Sequence, residues 1–171
     1  MAMLDVSRAT VTLLGVLLSA VLPARAESPV NFSGTWELDR TRSVLSSLAS
    51  SAPSTDVTLV IDHQGESVKI ERRVKIMGVN RSLTSTYYAD GREASNLTPR
   101  GDTVISRSRW EGMSLVTVSR GTVTLGGKKE TIEATDVRRL TEDGKVLLVN
   151  STIVRPGRES PERSQLVFVR K

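Results

Sequence analysis

The sequence predicts an all-β fold: a single up-and-down antiparallel β-barrel of about ten strands, with a short helix or loop after the first strand. Most of the chain beyond residue 26 consists of short segments that are rich in β-branched residues and alternate in polarity. Turn sequences such as Asp143-Gly144 separate these segments at short intervals. No strand–helix–strand rhythm appears, which argues against a parallel α/β sheet. An open β-sandwich is the main alternative.

Ten segments account for the predicted strands. They cover residues 31–39, 57–62, 67–77, 82–88, 92–96, 102–110, 114–119, 131–140, 145–154 and 164–170. Ten antiparallel strands that close on themselves leave no exposed sheet edge. The Ser/Ala-rich segment 42–55 has apolar residues at near-helical spacing before Pro53, which predicts the short helix or loop. A solvated linker is an equally open interpretation of this segment.

The N-terminus predicts a signal peptide over residues 1–26, followed by one barrel domain over residues 27–171. Residues 11–22 form an apolar run, and Ala24-Arg25-Ala26 has the small-x-small pattern of a cleavage site. The run is shorter than the roughly 20 residues that a membrane-spanning helix needs, although a buried core helix is an alternative. The chain has no cysteine, so neither disulfides nor a lipid-anchored cysteine is expected. We therefore expect a periplasmic or secreted monomer with no transmembrane segment in the mature chain.

The first predicted strand carries the most informative motif. In the stretch Asn31–Asp39, alternation places Phe32, Gly34, Trp36 and Leu38 on one face. A glycine lets another segment approach closely, and a large indole two residues later fills the adjacent space. This Gly-x-Trp resembles the opening of the calycin barrels, the lipocalins and fatty-acid-binding proteins. The resemblance implies that Trp36 packs at the closed end under a basic side chain from the last strand, for which Arg170 is the first candidate.

A looser resemblance extends along the chain. Short patches at residues 32–39, 90–93 and 110–112 resemble a group of uncharacterised bacterial exported, lipocalin-like proteins. Two features of fatty-acid-binding proteins are missing: segment 42–55 is too short for a helix-turn-helix lid, and residues 168–170 lack their Arg-x-Tyr carboxylate clamp. The resemblance therefore implies a fold more strongly than a ligand.

The composition argues against catalysis and against nucleic-acid binding. The chain has one histidine, His63, which we expect in a solvated hairpin turn, and it has neither a nucleophile elbow nor a phosphate-binding loop. We therefore expect no enzyme activity, no catalytic residue, no metal and no cofactor. Six aromatic residues are few for stacking bases, and the basic residues behind the net charge of +5 are dispersed. We expect no nucleic-acid partner.

Charged residues in apolar rows are the candidate binding residues. Arg72 shares a face with Val68, Ile70 and Val74, and a second row contains both Asp136 and Arg138. A buried charge must be paired or must meet a ligand of opposite sign. Two interpretations stay open: an internal Arg–Asp pair or an outward-turning bulge, and contact between Arg72 or Arg138 and the anionic head of an amphiphile.

Aromatic residues complete the candidate site. Tyr87 and Trp110 are candidates for the mouth of a cavity, with ordinary sheet packing as the alternative. The leading functional hypothesis is an exported β-barrel that binds a small hydrophobic or amphipathic ligand, with an anionic ligand as one version. The alternative is an envelope interaction module with a filled core and a basic outer face. The two hypotheses differ in whether the barrel is hollow.

Overall fold

A computed structural model describes residues 30–45, 56–76 and 78–171. These residues form ten β-strands and no helix. The strands are β1 (Gly34–Leu38), β2 (Asp56–Gln64), β3 (Ser67–Ile76), β4 (Val79–Tyr88), β5 (Asp90–Leu97), β6 (Thr103–Glu111), β7 (Ser114–Leu125), β8 (Lys128–Thr141), β9 (Val146–Val154) and β10 (Glu162–Arg170). The predicted signal peptide and most of the predicted helix or loop at 42–55 lie outside the described residues.

The strands form one antiparallel sheet in the order β4-β3-β2-β1-β10-β9-β8-β7-β6-β5. Except for β4 and β5, each strand pairs with its neighbours in sequence, and β1 also pairs with β10. Pairing of the first strand with the last curls the sheet into a ring that lacks a ladder only between β4 and β5. The prediction of an all-β, up-and-down barrel of ten strands is thereby confirmed.

A side chain takes the place of the missing ladder. The Thr86 backbone N–H on β4 donates to Asn96 Oδ1 on β5 at 2.8 Å, and Asn96 Nδ2 donates to the Thr86 carbonyl at 2.9 Å. Asn96 is only 7% exposed. Its amide therefore gives β4 the donor–acceptor pair that a neighbouring backbone would supply. The barrel is therefore nearly closed.

The two ends of the barrel differ. The closed end is the one that carries the β2–β3, β6–β7 and β8–β9 hairpins, and the open end carries the β3–β4, β7–β8 and β9–β10 connections. Large side chains fill the closed end; those with no measurable exposure are Phe32, Trp36, Val68, Leu115 and Leu147. Towards the open end, several inward side chains are only half-buried, namely Leu38, Val74, Leu83, Ser151, Ile153 and Leu166. The interior is therefore tightly packed at the closed end and less tightly packed towards the open end.

Replacement of Asn96 by alanine is expected to destabilise the barrel, because the Thr86 N–H and carbonyl lose their partners at the β4–β5 junction. The expected loss is about 1–3 kcal/mol of unfolding free energy, with faster hydrogen exchange of the Thr86 amide. Thermal and urea unfolding would measure the loss, and Asn80→Ala, at an exposed position of β4, is the matched control. Equal stability of the two variants would contradict the bridging role.

Candidate functional site

The closed end is built around a pair of residues from the first and last strands. Trp36 and Arg170 are directly opposite in the β1–β10 ladder, and the Arg170 guanidinium carbon lies 4.3 Å from the centre of the Trp36 ring. Arg170 also donates to the carbonyls of Ser33 at 2.9 Å and Gly144 at 3.1 Å. The indole N–H of Trp36 donates to the Phe32 carbonyl at 2.9 Å. Each polar group around the indole thus has a partner, and the guanidinium covers the ring.

Gly34 makes room for this arrangement. Its φ of +137° is a backbone conformation that only glycine adopts readily, and a Cβ built there would lie 2.6 Å from Arg170 Nη1. The structure therefore places the three residues of the Gly-x-Trp resemblance, Gly34, Trp36 and Arg170, in mutual contact.

Beside this pair lies an aromatic cluster that contains the single histidine. The rings of Phe32, His63 and Trp110 are nearly parallel, with centroid separations of 5.7–6.0 Å. His63 is 5% exposed and belongs to β2. The expectation of a solvated turn histidine is therefore wrong: the strand continues one residue beyond His63, so alternation turns its ring into the core.

Two hydrogen bonds define the protonation state of His63. Its Nδ1 accepts from the Phe32 backbone N–H at 3.2 Å, and its Nε2 lies 3.1 Å from the Gly65 carbonyl. Only the neutral ring with its proton on Nε2 satisfies both contacts. Desolvation is the main cause that lowers the pKa of His63 from its ordinary value of 6.5, against smaller raising effects of Gly65, Glu66 and Asp62.

The structure places Trp110 at the closed end, where it packs in the aromatic cluster, as in the sheet-packing alternative of the sequence analysis rather than at a cavity mouth. It lies on β6, next to the β6–β7 hairpin, and its Nε1 is buried without a hydrogen-bond partner. The parity of the meander could have revealed this position. In an up-and-down barrel successive hairpins alternate between the two ends, so β6–β7 must share an end with β2–β3.

Arg138 lies inside the barrel in a fully partnered network. It donates to Asp136 Oδ2 at 2.8 Å and to Thr117 Oγ1 at 3.0 Å, and its guanidinium lies 5.0 Å from the centre of the Tyr87 ring. Ser151 donates to the other oxygen of Asp136. The contact with Tyr87 reaches from β8 across the interior to β4. The structure therefore brings two candidate residues, Arg138 and Tyr87, together in the filled half of the barrel.

Arg72 has a different environment. It lies midway along β3 between the inward-facing Ile70 and Val74, and its register partners are Leu59 and Leu83. Neither a hydrogen bond nor an ion pair joins it to any residue of the described ranges. Burial lowers the pKa of its guanidinium, yet the side chain remains accessible to solvent. Both properties fit a cation inside the barrel that is in contact with protein atoms and also with solvent.

A second charged group, which the sequence analysis missed, lies at the open end. Arg155 follows β9, and its side chain is only 6% exposed. Its Nη2 lies 2.8 Å from Glu162 Oε1 on β10, and its Nη1 lies 3.7 Å from Glu130 Oε2 on β8. We call these three residues the open-end cluster. Continuing the alternating rows of β8, β9 and β10 to their ends would have placed all three inside.

The two grooves on the outer surface are weaker candidates for a binding site. One, of about 690 Å³, crosses the outer faces of β5 to β7, and another, of about 420 Å³, crosses those of β2 to β4. The arginines that line them are mostly paired, as in Arg107 with Glu93 at 2.8 Å and Arg73 with Glu71 at 2.7 Å. The arginines of the two grooves are therefore largely compensated, in contrast to Arg72.

Two further features are absent from the described ranges. No cluster of three or more His, Cys, Asp or Glu side chains suited to a metal ion occurs there. No helix long and apolar enough to cross a bilayer occurs in that part of the chain either.

Comparison with solved structures identifies the barrel type. The zebrafish ileal bile acid-binding protein in complex with cholic acid superposes with a TM-score of 0.56 at 13% identity, covering 82% of this chain and 98% of that one. Lipid binding protein 8 of Caenorhabditis elegans gives 0.51 at 15% identity, with 82% and 95% covered. Fatty-acid-binding protein 1 of Echinococcus granulosus gives 0.51 at 12% identity, with 81% and 96% covered.

These similarities confirm the predicted calycin-type fold. Identities this low show the fold alone. No protein-family model matches the chain, and no curated protein matches it by sequence. The resemblance to bacterial exported proteins stays a prediction.

His63 is expected to make the barrel less stable at mildly acidic pH. Because its folded-state pKa lies below 6.5, the unfolded chain binds the proton more readily, and stability falls as the pH drops from 6.5 towards the folded-state pKa. The melting temperature should therefore decrease between about pH 7.5 and about pH 5.5 in the wild type and much less in His63→Gln.

The chosen pH window separates His63 from the carboxylates. Asp39, Glu71 and Asp102 have lowered pKa values, so the stability that they contribute is lost only at more acidic pH, below their ordinary values of 3.8 and 4.5. A decrease of the same size in His63→Gln and in the wild type would show that another group titrates in this window.

Proposed function

We propose that this protein is an exported carrier that binds a small amphipathic molecule with an anionic head in the open half of the barrel. The observation that carries this proposal is Arg72, a guanidinium without a partner among the described residues, on an inward row of apolar side chains. The surrounding protein lowers the pKa of this guanidinium although solvent still reaches it, and an anion that accepts hydrogen bonds from it would offset that partial desolvation. Arg72 therefore supports a ligand with an anionic head.

The apolar part of the ligand would lie against the half-buried side chains of the open half. Leu38, Leu83 and Leu166 come from three different strands and are neither fully covered nor fully exposed. Covering such surface contributes roughly 25 cal/mol per Å² of apolar area. A molecule with a hydrocarbon part and one acidic group matches both the apolar surface and the lone cation.

The remaining candidate residues support the binding site from below. Arg138 is neutralised by Asp136 and fixed by Thr117, so it adds little unsatisfied charge to the interior. With Tyr87 it forms the floor on which a ligand would rest. The solved structures with the same fold include one with bound cholic acid, an amphipathic acid, which is consistent with this class of ligand.

We propose no catalysis and no metal or organic cofactor. The alternative function, an interaction module with a basic outer face, has less support because the arginines that line the two outer grooves are mostly paired with glutamates. That alternative would still gain ground if the interior proved unable to bind any amphiphile.

Loss of the Arg72 charge is expected to weaken binding of a fatty acid. For hexadecanoic acid, Arg72→Met should raise the Kd by about tenfold or more, because hydrogen bonds to a charged group contribute about 1.5–3 kcal/mol. Isothermal titration calorimetry would measure it. Arg73→Met is the matched control, since the adjacent side chain points outward and pairs with Glu71.

Hexadecan-1-ol provides a second comparison, because it has the same chain without the negative charge. Its affinity should change little in Arg72→Met. If Arg72→Met and Arg73→Met bind hexadecanoic acid equally well, the head does not meet Arg72; if the wild type binds neither molecule, the carrier function itself is wrong.

Export and occupancy can be examined in one measurement on protein purified from its own host. Native mass spectrometry should give a chain that begins at Glu27, as removal of the predicted signal peptide requires, with a discrete adduct that denaturation removes. A full-length mass would contradict export. A clean unliganded mass for protein that also ignores fatty acids would favour the interaction module.

A further inference from the structure

The open-end cluster is not satisfied by its own members. Arg155 Nη2 is close to Glu162 Oε1, but the two atoms lack hydrogen-bond geometry, and Arg155 Nε has no hydrogen-bond partner either. Glu162 Oε2 is buried and also has no partner. Two buried donor atoms and one buried acceptor therefore remain unsatisfied on two residues that touch each other. Each such group destabilises the fold if nothing bonds to it.

The charges of the cluster restrict what can fill it. Two carboxylates, Glu130 and Glu162, surround one guanidinium, so an incoming anion would meet a negative excess. An incoming cation would leave the Arg155 donors unsatisfied and would be repelled by them. A neutral hydroxyl fits one of the unsatisfied donors together with the unsatisfied acceptor, because its oxygen accepts from Arg155 Nε–H while its hydrogen is donated to Glu162 Oε2.

The position of the cluster connects it to the proposed ligand. Arg155, Glu130 and Glu162 lie on the inward rows of β9, β8 and β10, and in the strand order these strands are across the ring from β3, which carries Arg72. Ile153 on β9 and Ser164 on β10, the inward-facing side chains next to the cluster, are half-buried. One wall of the open half thus offers a lone cation, and the opposite wall offers a neutral donor–acceptor pair.

We propose that the open-end cluster is a hydroxyl-binding subsite, and that the ligand is a hydroxylated amphiphilic acid rather than a simple fatty acid. This inference rests on the proposed function, since it concerns a second polar group of the same ligand. Arg72 receives the acid, and Arg155 with Glu162 receives a hydroxyl elsewhere on the molecule. The subsite selects among acids, whereas Arg72 selects acids over neutral lipids.

The experiment compares hexadecanoic acid with its 2-hydroxy, 10-hydroxy and 16-hydroxy derivatives by isothermal titration calorimetry on the mature protein. At least one hydroxy acid should bind about fivefold or more tightly than the parent acid, the effect of one net hydrogen bond. Arg155→Met should abolish this preference while leaving the Kd of hexadecanoic acid within about twofold. Arg158→Met, an exposed arginine of the same connection, should retain the preference.

A second variant covers the case in which Arg155→Met does not fold. Glu162→Gln keeps the size of the side chain and removes the negative charge, and it should also reduce the preference for the hydroxy acid. Arg72→Met should weaken the hydroxy acid and the parent acid by the same factor, which leaves their ratio unchanged.

The outcomes separate the two proposals. If no acid of the series binds, the proposed carrier function fails. If the parent acid and all hydroxy acids bind equally well to the wild type, the carrier function stands and the subsite is overturned, because water then satisfies the cluster. A preference that persists in both Arg155→Met and Glu162→Gln overturns the assignment as well, since the hydroxyl then lies elsewhere.

Discussion

The fold depends on the contact between the first strand and the last. Trp36 and Arg170 face each other in the β1–β10 ladder, with the guanidinium over the indole and Gly34 providing the space beneath it. This contact converts a linear meander into a ring and determines which alternating rows face inward. Because the chain has no cysteine, no disulfide supports it. Backbone pairing, the cation–π contact and the Arg170 hydrogen bond to the Ser33 carbonyl hold the two ends of the domain together.

Inside the ring, three arginines illustrate three environments of an inward-facing cation. Arg138 has one carboxylate and a hydroxyl, so its charge is balanced and its donors are used. Arg155 has two carboxylates but poor geometry, which leaves an excess of negative charge and unused hydrogen-bonding atoms. Arg72 has no partner within the part of the chain that the structure describes. The three environments differ in net charge, and each therefore accepts a different kind of chemical group.

The sequence predicted the strands well because their signals are local. Alternation within 67–77 placed Arg72 on the inward face, and alternation within 131–140 placed Asp136 and Arg138 in one row, as in the structure. The turn sequences separated the strands for the same reason. Glu142 and Asp143, both with positive φ, show how strongly the β8–β9 turn constrains its backbone.

What the sequence did not predict arises from the pairing of distant segments. Asn96 bridges to Thr86 across a junction that no periodicity indicates, and the solvated position expected for His63 was wrong because Phe32 and Trp110 cover its ring. The open-end cluster depends on the ends of three strands meeting inside the ring. Local patterns determine which face a side chain occupies, but only the closed ring determines its neighbours.

The β1–β10 ladder also has a consequence for how the domain reaches its folded state. All other strand pairs join segments that are consecutive in the chain, whereas Trp36 and Arg170 are separated by nearly the whole domain. Closing a loop of that length is the entropically most expensive step, so the hairpins can form early and the ring can close only after the last strand is available. Until then, β1 and β10 are free edges, and the slow step of folding is also the step at which the chain is most open to pairing with another copy of itself.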